Sequence, residues 1–203
     1  MTDNSMKPTE GFFKIEQFEN GKLIDVFEDH NLIMRDSKRT VAYLTSGAYP
    51  DGISDMFINT FALGTGGTVD GDLLTPKSFD YERPNMFSEA EGKPTYPITW
   101  NPKTADSGGN VTVTSEGSAQ IPSITNNSAV SINIENDSTI VYVINISNAN
   151  ANGAGDGAIA WTEASLYNAE AYGNYGRNFA MRTFSAKIKE NTTNFRITWK
   201  IVF

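Results

Sequence analysis

Phe195-Arg196-Ile197-Thr198-Trp199-Lys200-Ile201-Val202-Phe203 decides the fold class, because every odd position is apolar and the even positions are mostly polar. Such alternation puts one set of side chains on each side of a pleated strand, so one side is buried and the other meets solvent or a neighbouring chain. A strand that ends on Phe203 without a polar tail is expected to be pinned into a sheet.

The same signals recur upstream. Gly11-Phe12-Phe13-Lys14-Ile15-Glu16-Gln17-Phe18 and Lys22-Leu23-Ile24-Asp25-Val26-Phe27-Glu28 flank Asn20-Gly21, whose tolerance of positive φ predicts a type I′ hairpin. Further strands are expected at 56–63, 110–114, 129–134 and 139–146, the last two joined as a hairpin through Glu135-Asn136-Asp137-Ser138. Ala158-Ile159-Ala160-Trp161 and Phe179-Ala180-Met181-Arg182-Thr183-Phe184 add two more apolar runs. One helix is predicted near residues 35–46, with Asp36 as cap, Met34, Lys38, Val41 and Leu44 near one face, and Gly47 as stop. Between 73 and 109, Pro76, Pro84, Pro94, Pro97 and Pro102 interrupt polar sequence, which reads as a long loop-rich insertion with a short strand around 96–100. Residues 148–157 are a Gly, Ala and Asn tract that reads as a loop tip. The expected architecture is all-β, an antiparallel β-sandwich or jelly-roll-like domain spanning 1–203, with one short helix and long loops.

Composition excludes several function classes. Sixteen Lys and Arg against 24 Asp and Glu give a net charge of -8 with no basic cluster, so no phosphate-binding footprint is present and nucleic acid is not an expected partner. Cysteine is absent, which removes disulfides, thiolate nucleophiles and sulfur-ligated metals. No apolar run has the length of a signal peptide or a membrane span, so folding in a cytoplasm without a membrane partner is expected. Five Asn-x-Ser/Thr sequons, beginning with Asn110, read as by-products of Asn- and Thr-rich strands.

A set of short motifs in fixed order resembles the small virion proteins of tailed bacteriophages. These are Asn31-Leu32-Ile33, Ala62-Leu63-Gly64-Thr65-Gly66, Thr162-Glu163-Ala164-Ser165-Leu166-Tyr167-Asn168, Ala180-Met181-Arg182-Thr183-Phe184 and Thr198-Trp199-Lys200-Ile201-Val202-Phe203. The resemblance touches both ends of the chain and leaves about 73–128 uncovered. Ser165 stands where the family pattern has Gly in a turn. The resemblance implies a structural, non-enzymatic subunit of a virion, in a tail, baseplate, collar or head-decorating position. Its partners would be other virion proteins and further copies of itself, with no cofactor.

Candidate chemistry is sparse. His30 beside Asp29 lacks a Gly-x-Ser-x-Gly elbow or a second imidazole, so a turn role outweighs catalysis. Glu163, between Trp161 and Tyr167, is the most enzyme-like carboxylate, and a glycosidase would need a second one about 5–9.5 Å away in a cleft. A carboxylate capping backbone N–H groups is the plainer expectation for it. Asp70-Gly71-Asp72 and the 152–157 loop offer oxygens to Ca²⁺, although one copy without a repeat makes no site. Gly64-Thr65-Gly66-Gly67 lacks the Lys-Ser/Thr of a phosphate loop, and its glycines are expected to supply positive φ. The preferred interaction surface comprises Trp161, Glu163, Tyr167, Tyr172 and Tyr175, since Tyr, Asn and Gly on a loop favour recognition of proteins or sugars. A carbohydrate-binding module stacking sugars on Trp100, Trp161, Tyr172 and Tyr175 is the second reading.

Overall fold

The alternating stretch forms β11 (Thr193–Val202), whose every second residue is buried. In the computed structural model, residues 10–47, 57–105, 110–115, 130–136, 138–168 and 176–203 are described. Tyr172 and Tyr175 lie outside them. Asn20 and Gly21 take φ of 50° and 78° and turn β1 (Glu10–Glu19) into β2 (Lys22–His30), as the Asn-Gly pair predicts. The other strands are β3 (Leu32–Ile33), β4 (Ile58–Gly64), β5 (Thr95–Ala105), β6 (Asn110–Ser115), β7 (Val130–Glu135), β8 (Thr139–Ile146), β9 (Ile159–Asn168) and β10 (Asn178–Lys189).

All pairings are antiparallel, in the order β2-β1-β11-β8-β7-β6-β5-β4-β9-β10-β3. They form two sheets that share β5. Its first half pairs with β4, Thr99 opposite Thr60, and from Trp100 onward it pairs with β6. Such a sheet-switching strand makes one corner of a two-layer sandwich. The opposite corner forms where the chain leaves β2 in one sheet and enters β3 in the other across Asn31, whose N–H donates to Gly11 O at 3.0 Å. Ion pairs then tie β2 to β10, Asp29 to Arg182 and Asp25 to Lys187, and the Gln17 amide donates to Ile188 O at 2.7 Å.

Between the sheets the core is aromatic and β-branched. The Phe13 ring lies 4.9 Å from Trp199 and 5.4 Å from Phe184, and Phe61 sits 6.3 Å from Trp199. Each such fully buried side chain stabilises the fold by about 1.5–3 kcal/mol relative to exposure.

Three expectations change. β5 runs eleven residues and holds both Pro97, opposite Ala62, and Pro102, opposite Val113, where a short strand and interruptions were expected. A proline removes one donor from a ladder without ending the strand, and the switch of sheets falls between the two prolines. The 162–168 motif, expected as a turn, lies inside β9, which is buried on both faces and therefore shows no alternation. α1 (Asp36–Ser46) ends at Gly47, φ 65°, as expected, but Asp36 caps nothing and the buried positions are Ser37 and Thr40. Polar ties seat this helix, Asn168 Nδ2 donating to Thr40 Oγ1 at 2.7 Å and Arg177 pairing with Asp36 at 3.2 Å. Its apolar side is left partly open, with Leu44 46% exposed.

Candidate functional site

The outer face of β9 carries two of the expected site residues, and the segment before β5 folds over them. Glu163 is fully buried. Its carboxylate accepts from Phe87 N at 2.9 Å, Ser88 N at 2.7 Å and Ser88 Oγ at 2.5 Å, which are the first donors of α2 (Phe87–Glu91). The side chain of a distant strand thus satisfies the orphan N–H groups that a helix start leaves. Tyr167, also fully buried, accepts from Met86 N at 3.3 Å and donates to Glu89 Oε2 at 3.2 Å. Burial, helped by the Glu89 charge, pushes its hydroxyl well above the usual tyrosine range. Trp161 points to the core, 2% exposed, with Nε1 donating to Ala151 O at 2.9 Å.

The glycine run fits the same cover. Gly64, Gly66 and Gly67 are absent from the positive-φ residues, and a Cβ on Gly67 would meet Thr162 O at 2.3 Å. They allow close backbone approach where positive φ was expected, and Gly67 N donates to Thr162 Oγ1 at 2.8 Å. Of the residues expected at an interaction surface, Glu163 and Tyr167 are therefore engaged beneath the covering segment and Trp161 is buried in the core. Trp100, a stacking platform in the sugar-binding reading, is 2% exposed.

The acidic loops are engaged too. Asp72 accepts from Leu74 N at 2.8 Å and Thr75 Oγ1 at 2.6 Å, and these bonds hold its carboxyl below the usual value. In the 152–157 loop the Asn152 side-chain oxygen faces a cation already in the chain. The Lys189 ammonium donates to Asn152 Oδ1 at 2.8 Å, Glu190 O at 2.9 Å and Asn148 O at 3.3 Å. Among the described residues no group of three or more His, Cys, Asp or Glu gathers to hold a metal ion.

Burial lowers Lys189 to about 8 against the upward pull of Glu190. The native chain thus releases this proton before the unfolded chain does, near the ordinary lysine value of about 10.4. Its contribution to stability is then full above about 10.4 and is lost as pH falls through about 8. The unfolding free energy of wild type minus that of Lys189→Met is expected to rise between pH 8 and 10 in denaturant titrations, and a flat difference contradicts the assignment.

Exposed apolar side chains gather in two places, on the edge strand β2, where Leu23, Ile24 and Val26 are 45%, 48% and 43% exposed, and on the segment that covers β9. Between Thr68 and Pro76, which form an isolated bridge, the chain makes a tight hairpin. Val69 N donates to Thr75 O at 3.0 Å and Asp72 N to Val69 O at 2.9 Å. At its tip Val69 is 47%, Leu73 52% and Leu74 78% exposed. The tip is braced, since Ala186 N donates to Leu73 O at 2.8 Å, and Lys93 pairs with Asp70 at 3.1 Å and with Glu91 at 2.7 Å. At the other end of β10 a cavity of about 330 Å³ opens between α1 and the sandwich, lined by Val41, Leu44, Ile140, Tyr142, Phe179 and Phe203 among others. No family model, curated protein or solved structure matches the chain.

Leu73 and Leu74 open the 73–109 insertion, which with 148–176 is the stretch expected from sequence to carry partner contacts, whereas Val69 and the cavity are not among the candidate site residues. The tip had a signal, two adjacent leucines between a turn-forming Asp72 and Pro76 in otherwise polar surroundings. For the cavity, Val41 and Leu44 share a helix face, but that this face looks into open space depends on β8 and β10, which are far away in the chain.

Proposed function

We propose that this chain is a structural subunit that works by burying surface against neighbouring chains, as the resemblance to small tailed-phage virion proteins implies. The observation that carries the reading is the braced hairpin holding Leu73 and Leu74 in solvent. A soluble chain loses favourable burial by exposing two adjacent leucines, and gathered exposed apolar side chains mark interaction surfaces. The carboxylate and aromatic residues most suited to chemistry support the reading as well, since Glu163, Trp161 and Tyr167 bond within the fold.

Light scattering on the sized protein over a concentration series tests it. The expected result is a mass that climbs above the 22.2 kDa of one chain as concentration rises. A constant single-chain mass throughout contradicts it.

A further inference from the structure

The structure assigns the exposed tip and the open cavity to each other: we infer that Val69, Leu73 and Leu74 of one copy insert into the α1–β8–β10 cavity of the next, joining copies head to tail. This inference rests on the structural-subunit reading and names the surfaces it would use.

Their placement is the first support. Leu73 is hydrogen-bonded to Ala186 and Phe179 lines the cavity, so the two sites flank opposite ends of β10. Seven residues of strand separate those positions, about 23 Å at roughly 3.3 Å per residue. Two sites that far apart along one paired strand can engage only between different copies. Two different patches in contact make a heterologous joint, which repeats into a ring or an open helical array.

Shape and chemistry are the second support. The tip projects apolar side chains from a backbone already fixed by Asp72, Thr75 and Ala186, so little freedom is lost on docking. The cavity offers an apolar wall whose rim residues Leu44 and Phe203 are 46% and 42% exposed. Tyr142, 4% exposed, lines its floor and is raised far above the usual tyrosine value by burial. Apart from Thr40, Thr45 and the Tyr142 hydroxyl the lining is apolar, so leucine side chains lose less on entering it than a charged occupant would.

Complementation separates this joint from any other. Leu74→Asp damages the tip and leaves the cavity; Leu44→Asp damages the cavity and leaves the tip. Both positions are exposed, so the variants are expected to melt with the wild type, and Thr45→Arg, also on the cavity wall, serves if Leu44→Asp does not fold. Each variant alone should raise the concentration of half-assembly by more than about 10-fold, the effect of one leucine contact. Mixed, the two variants should form a one-to-one dimer that grows no further, because one intact tip and one intact cavity remain. Leu23→Asp, on the exposed edge of β2, should assemble as the wild type does. If the tip and cavity variants assemble normally while the wild type is an oligomer, the joint lies elsewhere and the inference falls while the structural-subunit reading stands. If both are weakened but their mixture does not pair, the head-to-tail arrangement is wrong. If the wild type never exceeds one chain, both fall together.

Discussion

Glu163→Ala should lower the unfolding free energy by about 3–5 kcal/mol, although the residue is expected to play no part in chemistry. Its carboxylate is the acceptor for the buried Ser88 N–H, the partly buried Phe87 N–H and the Ser88 hydroxyl. Each buried donor left without a partner costs about 1–3 kcal/mol, and more where the lost partner was charged. Glu163→Gln keeps one oxygen but turns an NH₂ toward a donor that needs an acceptor, so a loss of about 2–3 kcal/mol follows. Denaturant unfolding gives the loss, and limited proteolysis shows where it acts. Cleavage should appear first within 66–94, the segment that Glu163 holds against β9. A loss under about 1 kcal/mol for the alanine variant would mean that the helix start has other acceptors.

Trp199 carries the second large effect. It is fully buried and touches Phe13 and Phe61 at the centre of the sandwich, so Trp199→Ala should cost about 3–5 kcal/mol. The comparison with phenylalanine is more telling. Trp199 Nε1 has no hydrogen-bond partner among the described residues, so Trp199→Phe removes volume but strands no acceptor. Trp161 Nε1 donates to Ala151 O, so Trp161→Phe loses volume and also leaves a carbonyl unpaired. The Trp161 variant should therefore be the less stable of the two by about 1 kcal/mol. Thermal and denaturant unfolding of the pair measures the difference, and the reverse order contradicts it.

Where local chemistry governs, the fold was legible. Period-two alternation placed β11, the Asn-Gly pair placed the first hairpin, and Gly47 stopped α1 in the left-handed conformation. Where side chains answer to distant partners, legibility failed. β9 lies under a cover on one face and on the core at the other, so Thr162 to Asn168 carry no alternating signature. β5 reads as broken because its prolines are conspicuous, yet β4 and β6 hold it from two different sheets. Glu163 could be recognised as an unusual carboxylate among aromatic residues. That it caps a helix 76 residues away could not, because only the folded-over segment brings Phe87 to it. The Gly64 to Gly67 run illustrates the same limit, since glycine at a close backbone approach looks no different in sequence from glycine at positive φ.

Hydrogen exchange of the wild-type chain at dilute and at assembling concentration tests most directly whether function lies in surfaces buried between copies. Amides at 69–75 and 40–46 should exchange more slowly in the concentrated sample, while those of β11 and β9 stay unchanged. Identical exchange at both concentrations along the whole chain would contradict it.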